Sequence, residues 1–205
     1  MIAAQLIESH YVEFMNDLPD WMRPPRDEGW FAEDLDRLAE APPHTELIDG
    51  ALVFMMAPQR SWHGRVITRL TVTLDDQAPD GVEVDREMTI RLDARNRLEA
   101  DIVVSSARYD PDRTFFEPGQ VLLSVEVVSP ESAFRDRTVK LRKYAAAGIR
   151  HYWLVEDEAT GPVVHVYELD EPTKSYAPTG VFRDALHVQL PFEIDIDLAK
   201  LLPGR

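Results

Sequence analysis

The run Val121-Leu122-Leu123-Ser124-Val125-Glu126-Val127-Val128 constrains this chain more than any other segment. It is almost wholly apolar, as a strand buried on both faces requires. One carboxylate, Glu126, interrupts it. A helix is expected next, from about Arg135 to Ala147, with Gly148 at its C′ position, and then a second apolar strand, His151-Tyr152-Trp153-Leu154-Val155. A strand–helix–strand unit implies a right-handed crossover and a partly parallel, mixed sheet. The class is therefore α/β or α+β around a central sheet. A carboxylate inside that sheet needs a metal, a cation or a proton to offset its desolvation.

The segment before it supplies a second acid. Glu99-Ala100-Asp101-Ile102-Val103-Val104 enters a strand with Asp101 near its start. Asp101 and Val103 share one strand face, and Ser124, Glu126 and Val128 share one face of the next. Two such acids on neighbouring strands, with a lysine, can hold a hard divalent cation and handle phosphoryl chemistry. Further upstream, Asp49-Gly50 between Glu46-Leu47-Ile48 and Ala51-Leu52-Val53-Phe54 signals a hairpin, with Met55 and Met56 extending its second strand. Ser61 is the expected cap of a helix to about Asp76, with Trp62, Val66, Ile67, Leu70 and Leu74 on one stripe. Val82, Val84, Met88, Ile90 and Leu92 alternate with polar residues as one half-exposed strand. Helical spacing is also present from Trp30 to Leu38, while 107–120 reads as a loop. A hairpin into Val163–Leu169 follows residue 155, and 170–205 should add one or two edge strands and a short helix near Leu198-Ala199-Lys200-Leu201.

At 205 residues the chain suits one domain with a sizeable core. A formal net charge of −15 argues against strong non-specific duplex binding, which relies on counterion release by basic residues. It leaves room for a local basic groove or a metal-mediated phosphate contact. With no cysteine there are no disulfides, zinc–thiolate sites or cysteine nucleophiles. The N-terminus lacks the pattern of a signal peptide and no apolar run is long enough to span a bilayer, so a cytoplasmic protein is expected.

Several motifs occur together in a particular order: Glu46-Leu47-Ile48-Asp49-Gly50, Pro58 with His63, Asp101-Ile102-Val103-Val104, Glu126-Val127-Val128-Ser129-Pro130, Asp136 with Lys140, Tyr144 and Gly148, and Tyr152-Trp153-Leu154-Val155. In this the chain resembles the Uma-two-type restriction endonuclease family, a bacterial branch of the PD-(D/E)XK nuclease superfamily, over roughly residues 45–170. The resemblance implies a restriction-endonuclease-like core, a central mixed sheet flanked by helices, with an N-terminal hairpin and additional C-terminal strands. Residues 1–44 then form a peripheral arm and helix, and 45–205 the nuclease-like domain. It further implies Mg²⁺ or Mn²⁺ as cofactor, held by Asp101 and Glu126, and DNA as substrate. Two departures stand out: Ala100 occupies the place of the superfamily's proline, and Val128 that of its usual lysine. The lysine role passes to Lys140 on the following helix, with Lys143 as the fallback.

Each candidate also has a plainer reading. Asp101 is either a metal ligand or a solvated strand-edge acid. Glu46 is a third metal or water ligand, or a strand-end charge. His63 either faces the site or lies at the edge of the core. Ser129 reads as a helix cap, and Tyr144, Tyr152 and Trp153 as packing. The basic residues Arg135, Arg137, Lys140, Arg142 and Lys143 point toward nucleic acid. The leading expectation is a metal-dependent endonuclease acting on DNA. The competing one is a catalytically weak binding module on a nuclease core, in a defence, mobile-element or toxin–antitoxin setting. A homodimer is expected through the strand-rich region 163–190 and the N-terminal arm.

Overall fold

The computed structural model describes residues 18–55 and 58–202. Met56 and most of the N-terminal arm lie outside the described residues, and the hairpin's second strand already ends at Val53. Strands β1 (Glu46–Ile48) and β2 (Ala51–Val53) pair with Leu47 opposite Leu52. Asp49 and Gly50 between them have φ of +50° and +79°, the two left-handed residues a type I′ turn requires. Helix α1 (Ser61–Asp75) buries Val66, Ile67, Leu70 and Leu74 as its spacing requires. Ser61 is not its cap: that position falls on Arg60, whose side chain makes no capping bond. The helical spacing at 30–38 yields only a 3₁₀ turn, Ala32–Arg37, packed through Ala32 and Trp30 on Leu47.

Strands β3 (Glu83–Asp93) and β4 (Asn96–Ser105) run antiparallel along most of their length. The single-face alternation expected for β3 does not hold. Val82 and Val84 pack with α1 in one core, whereas Met88, Ile90 and Leu92 pack in the core on the opposite side. The break lies at Glu87, a non-glycine residue with φ +55° that drops out of the ladder opposite Asp101. Strand β4 reverses at the same place, sending Leu98 and Ala100 to one core and Ile102 and Val104 to the other. Side chains that should alternate with period two therefore change face where Asp101 sits. The expected 107–120 loop contains a short strand, β5 (Phe115–Phe116), parallel to β3.

Strand β6 (Val121–Val127) pairs antiparallel with β4 and parallel with β7 (His151–Glu158). The crossover between β6 and β7 begins with a π-helical turn, Arg135–Lys140, and continues as α2 (Leu141–Ala146). Gly148 has φ +87°, the left-handed residue that ends the helix. Strands β8 (Gly161–Asp170) and β9 (Ser175–Phe182) complete a nine-stranded mixed sheet in the order β2-β1-β4-β6-β7-β8-β9, with β3 and β5 on the far edge of β4. Pro178 and a register shift interrupt β9 at the edge of the sheet, which breaks its row of free backbone donors. A separate hairpin, β10 (Ala185–Val188) with β11 (Ile194–Asp197), and a 3₁₀ turn, Leu198–Leu201, cover the α1 side. No helix among the described residues is long and apolar enough to cross a membrane.

This strand order leaves a gap beside β4. On the edge of β4 away from β3, β1 reaches only Arg97 and β6 begins only at Ile102. The stretch 98–101 faces a notch with no strand in it. Buried backbone groups must be paired all the same. Side chains do it here: Glu46 Oε1 accepts the Glu99 N–H at 2.9 Å, and Lys140 Nζ donates to the Glu99 carbonyl at 2.6 Å. On the opposite lip Asp101 Oδ2 accepts the Val127 N–H at 2.6 Å.

Candidate active site

The notch opens into a cavity of about 250 Å³ between the N-terminus of α1 and the π-turn. Six acidic side chains line it, Glu46, Glu99, Asp101, Glu126, Glu131 and Asp136, against three basic ones, Arg60, Arg135 and Lys140. His44 and His63 line it as well, so the carboxylates outnumber the fixed positive charges.

Lys140 is the hub. Its ammonium lies 2.8 Å from Glu126 Oε2, 3.1 Å from Glu46 Oε1 and 3.8 Å from Asp136 Oδ1. Burial alone would lower its pKa, but Glu126, Glu46, Asp136 and Asp101 together hold it well above the usual lysine value. It is therefore an ammonium at any physiological pH. It donates to the Glu99 carbonyl at 2.6 Å and to Glu126 Oε2 at 2.8 Å, while Glu46 Oε1 is held as an ion pair. Glu126, 1% exposed, receives the Tyr144 hydroxyl on Oε1 at 3.0 Å. Burial pushes its carboxyl well above the ordinary range, Lys140 opposes this, and Asp136 and Asp101 add to it. Burial likewise raises Asp136 and Glu99.

The other expected residues take distinct places. Asp101 sits at the face reversal, with Oδ2 on the Val127 N–H and 3.5 Å from His63 Nε2, and Oδ1 makes no hydrogen bond among the described residues. His63 occupies the first turn of α1, buried, with its Nδ1 unpaired among the described residues. Glu46 is 1% exposed and also ion-paired to Arg135 Nε at 3.3 Å, so it anchors two cations. Lys143 does not reach the cavity; it binds Asp49 at 2.6 Å on the hairpin turn. Three- and four-residue spacing allows either lysine. The π-turn and the helix that follows send Lys140 inward and leave Lys143 on the hairpin side. Val128 is buried in the core and its N–H pairs with the Val155 carbonyl at 2.8 Å.

Asp136, Tyr144 and Ser129 belong to the motifs quoted above, and spacing alone does not show what each touches. Asp136 lies one helical step before Lys140 and its buried Oδ1 has no hydrogen-bond partner among the described residues. Tyr144 packs as expected but also donates to Glu126, and its i+4 spacing from Lys140 was the available signal. Ser129 and Ser132 bond one another's backbone N–H at 3.1 Å each, so Ser129 does act as a cap. Three of the basic residues expected to point toward nucleic acid are ion-paired within the protein. Arg135 pairs with Glu46, Arg137 with Glu156 and Lys143 with Asp49.

Do these residues suit a divalent cation? The donor set does: hard carboxylate oxygens in excess, an open Oδ1 on Asp101 and an orphaned buried Oδ1 on Asp136. Among the described residues, however, no three acidic or histidine groups are already disposed as a metal shell, and Lys140 holds the Glu126 carboxylate.

Comparison with known proteins agrees with this architecture. A crystal structure described as "a putative nuclease belonging to DUF820 from Anabaena variabilis ATCC 29413" superposes with a TM-score of 0.61 at 17% identity, covering 82% of this chain and 96% of that one. This is a likeness of fold. Apo NucC from E. coli MS115-1 aligns at 18% identity over 50% of this chain and 52% of its own, with a TM-score of 0.28. No match is found among curated proteins. The model of the Uma2 family, described as "Putative restriction endonuclease", matches residues 32–199. The chain belongs to the Uma2 family.

Proposed function

We propose that this protein is a divalent-cation-dependent endonuclease that hydrolyses phosphodiester bonds of DNA in the β4–β6 notch. The observation that carries this reading is the excess of buried carboxylate around a single lysine, in a cavity open to solvent between α1 and the π-turn. An excess of this kind is stable only if a cation or protons complete it. Asp101 and Glu126 would hold Mg²⁺ or Mn²⁺. Once bound, the ion would supply a Lewis acid for a phosphate oxygen and a water of lowered pKa.

The chain's own groups do the rest. Lys140, permanently charged, offsets negative charge building on the phosphate. Glu46 fixes the ammonium from the β1 side and Tyr144 fixes the Glu126 carboxylate, so both acting groups are held before substrate arrives. His63 orients Asp101. Arg60 and Arg135 on the cavity wall are the nearest cations for the flanking phosphates, which matters in a protein of formal net charge −15.

One observation favours the rival binding-module reading: the Lys140 ammonium already donates to the Glu99 carbonyl and Glu126 and is ion-paired to Glu46, so it is largely committed within the protein. The test is cleavage of supercoiled plasmid in Mg²⁺ by wild type and Lys140→Ala. Cleavage by wild type that falls by roughly 10²–10³-fold in the variant supports the nuclease. Plasmid binding without cleavage by wild type, in Mg²⁺ and in Mn²⁺, supports the binding module and rejects the nuclease.

A further inference from the structure

We propose that His44, held by Glu99, is the proton donor to the leaving oxygen in the hydrolysis proposed above, a reading that rests on that function. Four observations converge on it. His44 lines the same cavity as Lys140 and Glu126. Its Nδ1 is hydrogen-bonded to Glu99 Oε1, while its Nε2 has no partner among the described residues. Its side chain is 39% exposed, against 18% for Glu99, so the imidazole stands toward the opening with its carboxylate behind it. Its backbone has φ +60°, a left-handed conformation that costs a non-glycine residue energy and recurs at functional sites. The strained turn is fastened by the Thr45 hydroxyl, which donates to the Pro42 carbonyl at 2.6 Å.

Glu99 ties this pair to the reaction centre. Its N–H binds Glu46, its carbonyl receives Lys140, and its side chain holds His44, so one residue of β4 positions both the ammonium and the imidazole. The hydrogen bond from Glu99 raises the His44 pKa, burial lowers it, and the charges of Glu99, Glu87 and Asp101 raise it further, for a net rise. A proton donor must start as the imidazolium, the form that the Glu99 carboxylate on Nδ1 favours.

The reaction has need of such a donor. A sugar alkoxide leaves poorly unless it is protonated as the bond to phosphorus breaks. Water oxygen forms the new P–O bond and releases one proton to solvent. The scissile P–O bond breaks with its electron pair on the sugar oxygen, and that oxygen takes the proton from His44 Nε2. Neutral His44, still bonded to Glu99 through Nδ1, regains a proton from solvent. The net change is one water consumed per phosphodiester. Lys140 is a poor substitute, because it already donates to Glu99 and Glu126 and the surrounding acids hold its proton tightly. His63 is no better: its Nε2 faces Asp101 and its Nδ1 is buried, with the side chain only 9% exposed.

The experiment is single-turnover cleavage of DNA oligonucleotides by wild type, His44→Ala and His44→Gln in Mg²⁺. Each oligonucleotide carries at one site either a normal linkage or a bridging phosphorothiolate at the 3′ or the 5′ position. A thiolate leaves without protonation. Both variants should slow the all-oxygen substrate by roughly 10²–10⁴-fold. Both should cleave one of the two phosphorothiolates within a few-fold of wild type. Equal slowing on every substrate would make His44 a structural residue and overturn the proposal, as would undiminished cleavage of the all-oxygen substrate. A wild type that cleaves none of the substrates would overturn the nuclease reading itself, and this one with it.

Discussion

Replacing Lys140 with methionine should unfold the protein at markedly lower temperature, and the deficit should depend on pH. The ammonium is 4% exposed and sits between Glu126 and Glu46, each 1% exposed. Methionine fills most of the volume but leaves those two carboxylates without their shared cation. Breaking a buried ion pair from one side costs about 3–5 kcal/mol. At roughly 2–4 °C per kcal/mol for a domain of this size, the melting temperature should fall by roughly 6–20 °C near neutral pH. The lysine, with its raised pKa, contributes fully at every pH below the ordinary lysine value, so its own loss is constant between about pH 5 and 9. The pH dependence comes from Glu126. Its pKa is already raised by burial, and removing Lys140 removes the influence that opposed the rise. An acid raised in the folded state binds its proton more tightly there than in the unfolded chain. Stability therefore falls as pH climbs from about 4.3 through the raised value. The deficit of Lys140→Met should accordingly shrink toward pH 5 and grow toward pH 8. Adding Glu126→Gln, which still accepts from Tyr144, should return part of the loss at pH 8. Thermal unfolding of the three proteins at pH 5, 6.5 and 8 reads all of this. A Lys140→Met melting temperature within 2 °C of wild type at pH 8, on the order of 1 kcal/mol or less, would refute the buried-cluster reasoning.

Three further outcomes are expected. Glu87→Val should destabilise by about 1–2 kcal/mol in urea, because a β-branched residue resists the left-handed backbone, while Glu87→Gly should be close to neutral. If valine is tolerated, the break in β3 is not held by that residue. Lys143→Ala should leave plasmid cleavage unchanged and cost under about 1 kcal/mol, since its Asp49 partner is 75% exposed; lost cleavage would move the lysine role one step along the helix. His151, whose pKa burial lowers, should cost the wild type stability as pH falls below about 6.5, where the unfolded chain takes the proton first. The difference in urea midpoint between wild type and His151→Gln should therefore shift against wild type from pH 7.5 to pH 5, and an unchanged difference would show that His151 is not buried neutral.

Periodicity and turn chemistry made much of this fold readable. The Asp-Gly hairpin, the α1 stripe and the strand–helix–strand unit around Glu126 all appear where those rules put them. What escaped is local and geometric. Nothing in Arg86-Glu87-Met88 announces a left-handed residue, since glycine or asparagine is the usual marker, so the face reversal at Asp101 could not be read. The 3₁₀ turn at 32–37 shares the spacing of a helix but lacks the length to become one. At the site, spacing put Lys140 and Lys143 on one helical face, and only the π-turn separates them. The ion pairs of Arg135 and Arg137 are invisible in the local charge pattern because their partners, Glu46 and Glu156, lie on other elements. His44 and Glu99 stayed hidden for a related reason. Neither belongs to a spaced motif, and the notch in the strand order that joins them is a property of the sheet rather than of any segment.

The nuclease proposed above requires the carboxylates of the β4–β6 notch to form a divalent-cation site through Asp101. Calorimetric titration of Mn²⁺ into wild type and Asp101→Asn at pH 7.5 tests it without depending on turnover. One site per chain in wild type, weakened by more than about tenfold in Asp101→Asn while the variant melts as a folded protein, is the predicted result. Equal binding by the two proteins, or no binding by wild type, would contradict it.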